Sequence, residues 1–116
     1  MKTTNPIAEL SVNLAIAVVR MVDRVNTPKS SYLTDQIARA GTSVGANVHE
    51  AQHAQSRRDF IHKFELALKE ANETLYWLRV MFETGRIDED EYRQVSEICS
   101  DLCHLLMASC KTAKDK

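Results

Sequence analysis

A row of apolar residues between residues 61 and 82 is the feature that most limits what this chain can fold into. The row follows alternating steps of three and four through three heptads: Ile61, Phe64, Leu68, Ala71, Leu75, Leu78 and Phe82. This spacing predicts a long helix that packs nearly parallel or antiparallel to its neighbours. Three other segments carry similar rows and are joined by short connections. Together they predict an all-α fold, an up-down-up-down antiparallel four-helix bundle.

Capping residues mark the ends of the predicted helices. The predicted N-caps are Asn5, Ser30 or Ser31, Ser56 and Asp88. Pro28 separates the first two helices because it cannot continue a helix, and Gly85 is the predicted left-handed cap of the third. We therefore expect helices at about residues 6–25, 31–53, 57–84 and 89–110 of a single domain covering 1–116.

Helix two contains Gly41 and Gly45, which lie one turn apart. Each glycine costs up to ~1 kcal/mol relative to alanine inside an exposed helix. The pair therefore predicts close approach of a neighbouring backbone.

The charge balance restricts the classes of partner. The formal net charge of −1 combines a balance of +3 over residues 1–58 with −4 over residues 59–116. A protein that wraps DNA or RNA is usually basic overall, so this balance disfavours wholesale wrapping and leaves room for a local basic patch.

Neither a secretion signal nor a membrane span is expected. Polar residues interrupt residues 1–19, and no apolar run approaches the ~20 residues of a spanning helix. The chain has three cysteines, an odd number, and all lie on one predicted helix: Cys99, Cys103 and Cys110. Their spacing is poor for disulfide bonds between them, which favours reduced thiols. We therefore expect a cytoplasmic protein with no membrane partner.

A polar row runs along helix two beside its apolar one. Arg39, Ser43, Asn47 and Glu50 follow steps of four, four and three, so they share one face, and Glu73 on helix three is a predicted partner. The row is interpreted first as a hydrogen-bond network that fixes the register of the bundle. A binding site is the alternative.

Basic residues follow the start of helix three: Arg57, Arg58, Lys63 and Lys69. They are the candidate nucleic-acid contacts, and a solvated charged surface is the alternative interpretation. A second basic group, Arg20, Arg24 and Lys29, lies near the first turn, which an up-down topology places at the opposite end.

Helix three also carries a second row that a lone bundle cannot easily bury together with the first. It is the predicted oligomer interface: Phe60, Ala67, Thr74, Trp77 and Met81. Exposed apolar patches of this kind usually mark a contact with another protein.

No catalytic motif, cofactor motif or convincing metal site is present. Of three acidic-x-x-His pairs, only Glu50 and His53 suit a di-iron bundle, which needs two such pairs and two further carboxylates. The three cysteines suit buried small apolar residues better than a zinc site. The sequence therefore predicts no catalytic, cofactor or metal residues, no enzyme activity and no small-molecule substrate.

Helices two and three resemble the four-helix-bundle family of 23S rRNA intervening-sequence proteins. The matching residues are Arg39, Ala40, Ser43, Val44, Ala46, Asn47, Val48, Glu50, Arg58, Phe60, Ile61, Ala67, Leu68, Glu73, Leu75, Gly85 and Ile87. The chain departs from the family pattern at Gly45 (Pro in the family), His49 (Ala) and Ala51 (Gly). These departures predict a helix two that is straighter and longer than in other members of the family.

The resemblance implies a homo-oligomeric ring, typically a pentamer, and no known enzyme activity. A related member, the accessory variability protein of diversity-generating retroelements, works with a reverse transcriptase and nucleic acid and is more basic than this chain. The leading hypothesis is an oligomeric accessory protein whose partner is RNA or a nucleic-acid enzyme. A protein-only oligomeric scaffold and a metal-dependent bundle enzyme are the alternatives.

Overall fold

The structure is a computed structural model that describes residues 5–115. Its four helices are α1 (Pro6–Val25), α2 (Ser31–Ala51), α3 (Arg57–Glu83) and α4 (Glu89–Lys114). Each helix packs against the next and α4 closes the cycle on α1, whereas the diagonal pairs do not meet in this part of the chain. Short connections reverse the direction of the chain between helices. This architecture confirms the predicted all-α four-helix bundle.

Side-chain caps begin three of the helices at the predicted residues. In each cap a side-chain oxygen accepts a hydrogen bond from the backbone N–H three residues later, which satisfies one of the orphan donors of the first turn. The distances are 3.2 Å for Asn5 and Ala8, 3.0 Å for Ser56 and Asp59, and 2.9 Å for Asp88 and Glu91.

The start of α2 and the end of α3 are capped in other ways. Ser30 is the N-cap of α2 but makes no side-chain capping bond; its hydroxyl instead accepts the N–H of Thr27 at 3.0 Å. Gly85 has φ +77°, and the N–H of Arg86 donates to the carbonyl of Met81 at 2.9 Å. This six-to-one bond around a left-handed glycine is a Schellman motif, so the predicted cap of α3 is confirmed.

Three helix ends differ from the predicted ones, and α3 differs by a single residue, since it ends at Glu83 rather than at residue 84. The second helix stops at Ala51 rather than at residue 53, and α4 continues to Lys114 rather than stopping at residue 110. The extension has tertiary support, because Cys110 is buried and the Lys114 ammonium lies 2.8 Å from the Glu65 carboxylate of α3. Lysine in a last turn also interacts favourably with the helix dipole.

The buried row of α3 is displaced from the predicted one. It consists of Phe64, Ala67, Ala71, Thr74, Leu78 and Met81, whereas the predicted members Ile61, Leu68, Leu75 and Phe82 are only half-buried. Small side chains such as alanine and threonine can be covered completely by a neighbouring helix. Leucine and phenylalanine extend from the flank of the same helix to the boundary of the core.

This displacement corrects most of the predicted oligomer interface. Ala67, Thr74 and Met81 have no exposed surface within the single chain, so their side chains belong to the protomer core and cannot contact a second copy. Phe60 and Trp77 are half-buried against the same core.

The first two helices approach each other closely at Gly41. A Cβ atom at this position would lie 2.8 Å from Cγ2 of Val18, closer than two carbon atoms can pack without a shift. The close neighbour of Gly41 is therefore a side chain rather than the predicted backbone, whereas a Cβ atom at Gly45 would lie 3.5 Å from the backbone oxygen of Ser11, an ordinary contact distance.

Three β-branched residues form an apolar outer face on α1. Val12, Ile16 and Val19 follow steps of four and three and are 53%, 44% and 43% exposed. Despite this face, no helix within residues 5–115 has the length and apolarity needed to cross a membrane.

Candidate nucleic-acid interface

Two arginines occupy the first turn of α3. Ser56 caps the helix, and Arg57 and Arg58 follow it as exposed residues. The positive end of the helix dipole disfavours cations here, and α4 instead begins with three acidic residues. The first turn of α3 thus holds two cations and one carboxylate, that of Asp59, beside the positive end of the helix dipole, where anions are favoured.

Among the four predicted nucleic-acid contacts, Lys63 differs from Arg58 and Lys69 in having a carboxylate partner. The ammonium of Lys63 lies 2.9 Å from a carboxylate oxygen of Glu50 on α2. This hydrogen bond and the charge of Lys63 lower the pKa of Glu50, and the same contact raises the pKa of Lys63. Arg58 and Lys69 are exposed and make no ion pair with any residue from 5 to 115. These two therefore keep an unneutralised charge.

Arg58 and Lys69 belong to one solvent-facing row, which we call the outer face of α3. It consists of the exposed residues Arg58, His62, Glu65, Lys69, Asn72, Tyr76, Arg79 and Glu83. Their alternating steps of four and three are the complement of the buried row, so they project from the side of α3 away from the core.

The end of α4 adds charge beside this face. Lys114 pairs with Glu65, and the hydrogen bond and charge of the ammonium lower the pKa of the Glu65 carboxyl. Lys111 lies one turn earlier on α4 and is exposed. A groove between the two helices is lined by Arg57, Arg58, Ile61, His62, Glu65, Ala113 and Lys114. Lys114 thus neutralises the Glu65 carboxylate at the wall of the groove, where it would otherwise repel an anion.

The predicted polar network forms in part. The guanidinium of Arg39 on α2 binds two carboxylates of α3, Glu70 at 3.1 Å and Glu73. Glu73 also accepts a hydrogen bond from the indole N–H of Trp77 at 3.1 Å. Arg39 and Glu73 are therefore brought together as predicted, and they connect α2 to α3.

The other members of the predicted network lie apart from this cluster. The side-chain amide of Asn47 donates to the backbone carbonyl of Ser43 at 2.9 Å, within α2 itself. Glu50 is exposed and pairs with Lys63 instead. The polar row therefore makes two separate contacts with α3 rather than one network.

The cysteines are buried thiols of α4. The Cys99 thiol donates to the backbone carbonyl of Ala71 at 3.1 Å, and hydrogen bonding to Cys103 and burial raise the pKa of Cys99. His49 and His53 pack edge to face with ring centroids 5.3 Å apart. Among residues 5–115, no three His, Cys, Asp or Glu side chains are arranged to hold a metal ion.

Sequence reasoning missed Tyr76, Lys111 and Lys114. The sequence does contain an indication for Tyr76. It lies one heptad after Lys69, and Lys69 lies eleven residues after Arg58, so the three positions share one face of a helix. In the sequence, Lys111 and Lys114 look like part of a frayed C-terminal tail, because nothing local to residues 111–114 indicates a contact with α3.

Comparisons with known proteins agree with the resemblance of helices two and three. The family model for the 23S rRNA-intervening sequence protein matches residues 3–108. A solved structure of a protein with unknown function from the S23 ribosomal protein family of Bacteroides thetaiotaomicron VPI-5482 is 40% identical. It superposes with a TM-score of 0.86, over 90% of this chain and 98% of that one. No match was found among curated proteins. The chain belongs to the family of 23S rRNA-intervening sequence proteins.

Proposed function

We propose that this chain is a self-associating helical bundle that acts, without catalysis of its own, as a cytoplasmic accessory protein and contacts RNA through the outer face of α3. The observation that carries the proposal is the placement of Arg58 and Lys69. Both project from one exposed face, and neither is neutralised by a carboxylate within residues 5–115. Cations of this kind neutralise phosphates and supply most of the salt-dependent affinity for nucleic acids.

The surroundings of Arg58 support an anionic partner. Both the dipole of α3 and the neighbouring basic side chains favour a phosphate at the start of the helix. Lys114 neutralises Glu65, which would otherwise repel the same phosphate.

Self-association explains how a chain of net charge −1 can bind RNA. The outer face of α1 exposes Val12, Ile16 and Val19, and we assign it to contact with a second copy in place of the buried residues of α3. The ring that the family resemblance implies would present the outer face of α3 several times. Linked sites raise the overall affinity without any new contact.

Salt-dependent binding tests the proposal. Structured RNA and single-stranded DNA are titrated with the protein over a series of salt concentrations. We expect the logarithm of the binding constant to fall linearly with the logarithm of salt. The Arg58→Ala/Lys69→Ala double variant should reduce that slope by about 0.7 for each phosphate that the protein no longer neutralises.

A matched control uses the opposite end of the bundle. Arg20→Ala/Lys29→Ala removes two exposed cations that also lack an ion pair in the described part of the chain, so the net charge changes equally. If this control flattens the salt dependence instead, the site lies near the first turn. If the wild type binds neither nucleic acid at micromolar ring concentration, the protein-only scaffold is the better interpretation.

A further inference from the structure

Tyr76 lies on the outer face of α3, beyond the two cations Arg58 and Lys69. It lies seven residues beyond Lys69, which is about 10 Å along a helix, and Lys69 lies about 16 Å beyond Arg58. The side chain of Tyr76 is 60% exposed, although tyrosine is a large, partly apolar residue. Two cations and an aromatic ring therefore follow one line on the surface.

The ring of Tyr76 is supported by the neighbouring indole of Trp77. Trp77 packs against it edge to face, with ring centroids 5.0 Å apart and an interplanar angle of 74°. The indole of Trp77 is in turn fixed by Glu73, which Arg39 binds from α2. A ring held in this way loses little conformational entropy when a ligand stacks on it. The polar cluster between α2 and α3 thus positions Tyr76.

There is room for a flat ligand beside this ring. A shallow groove on the same side of α3 is lined by Tyr76, Arg79, Val80, Glu83 and Thr84. Arg79 and Glu83 bound the groove and are joined by an exposed contact of 3.5 Å, a length typical of a weak pair.

From this geometry we infer that the outer face of α3 binds an unpaired RNA strand, with Tyr76 stacking on a base and Arg58 and Lys69 contacting phosphates. The inference rests on the proposed function and specifies its ligand. Aromatic side chains stack on unpaired bases, whereas the bases of a duplex are already stacked on one another and paired. Arg58 and Lys69 alone would bind a duplex and a single strand in a similar way.

The test compares one RNA sequence as a single strand and as a perfect duplex. Tyr76→Ala should weaken single-strand binding about tenfold, within the range measured for removal of one stacked base. Duplex binding should change less than about twofold. Tyr76→Phe should retain single-strand binding, because stacking needs the ring and not the hydroxyl. The chain has one tryptophan, so single-strand binding should also change the fluorescence of Trp77.

Tyr32→Ala is the matched control, since Tyr32 is 64% exposed on α2 and lies off the outer face of α3. Equal losses of affinity for strand and duplex, or an equal loss of affinity in Tyr32→Ala, would overturn the inference. Salt-dependent binding that is abolished in Arg58→Ala/Lys69→Ala but unchanged in Tyr76→Ala would remove the stacking role and leave the proposed function standing. Failure of the wild type to bind either RNA would remove both.

Discussion

The exposed surfaces of α1 and α3 follow the same helical period but differ in composition, because α1 exposes an apolar row between charged residues such as Glu9 and Asp23. On α1 the exposed row includes Val12, Ile16 and Val19, and on α3 it holds charged and polar residues together with Tyr76. The inner faces of the two helices are alike, because each contributes a buried row to a common core. Packing therefore accounts for the inner faces and leaves the difference between the outer ones unexplained.

We propose that the two outer faces meet different partners. Apolar side chains gain roughly 25 cal/mol for each Å² removed from water, so the face of α1 favours a partner that excludes water, such as a second copy. Charged side chains lose hydration in such a contact. The proposed partner of the face of α3 is instead hydrated and anionic. The fold separates the two surfaces, since α1 and α3 are diagonal in the bundle and do not meet within residues 5–115.

The largest expected effect comes from placing a charge on the face of α1. Ile16→Asp should weaken self-association by about a hundredfold or more, because an unpaired carboxylate buried in an apolar contact costs several kcal/mol. Light scattering should report a monomer, with the helical content by circular dichroism unchanged. Lys69→Asp is the control on α3 and should keep the assembled mass. An assembled Ile16→Asp protein would place the contact elsewhere.

The next effect separates the core of α3 from its outer face. Met81→Ala should lower the free energy of unfolding by about 3 kcal/mol and keep the assembled mass, because it leaves a cavity in the protomer core. Met107→Ala truncates the same type of side chain at an exposed position of α4 and should change the free energy of unfolding by less than about 0.5 kcal/mol. Chemical denaturation measures both. Loss of assembly in Met81→Ala at unchanged stability would restore the predicted interface on α3.

A smaller effect tests the contact that supports the outer face of α3. Arg39→Met should lower the free energy of unfolding by about 1 kcal/mol, a modest value because the pair with Glu70 and Glu73 is half exposed. Arg93→Met removes an exposed pair with Glu89 inside α4 and should have almost no effect. If the two variants lose equal stability, the contact between α2 and α3 has no special role.

The smallest effect is the pH dependence of the Glu50 and Lys63 pair. Lys63 lowers the pKa of Glu50, so the pair stabilises the protein above the ordinary carboxyl pKa and loses this effect as pH falls through the lowered value. Thermal midpoints of wild type and Glu50→Gln should therefore differ slightly near neutral pH and converge in acid. Glu97→Gln, an exposed carboxylate without an ion pair in residues 5–115, should show no such difference. A difference in thermal midpoint that widens in acid would contradict the lowered pKa of Glu50.

Local sequence signals predicted most of the fold. The caps at Asn5, Ser56 and Asp88 and the left-handed Gly85 depend on residues within one turn, so their conformations could be derived without the rest of the chain. A close neighbour at Gly41 was also predictable, because a glycine inside a helix costs stability that close packing can offset, but the sequence did not show that this neighbour would be the side chain of Val18. The periodic rows then required four helices to share one core.

The sequence by itself determined that α3 would bury one heptad row, but it did not determine which. Both flanks of Phe64, Ala71 and Leu78 are apolar, and only the positions of α2 and α4 decided that Ala67 and Thr74 are covered while Leu68 and Leu75 reach the boundary. The same holds for charge. Lys63 and Lys69 are equivalent in the sequence, yet one meets Glu50 on α2 and the other meets no carboxylate in the described part of the chain. Side-chain pairing between helices depends on their rotation and separation, which arise from packing the whole bundle and not from any local segment.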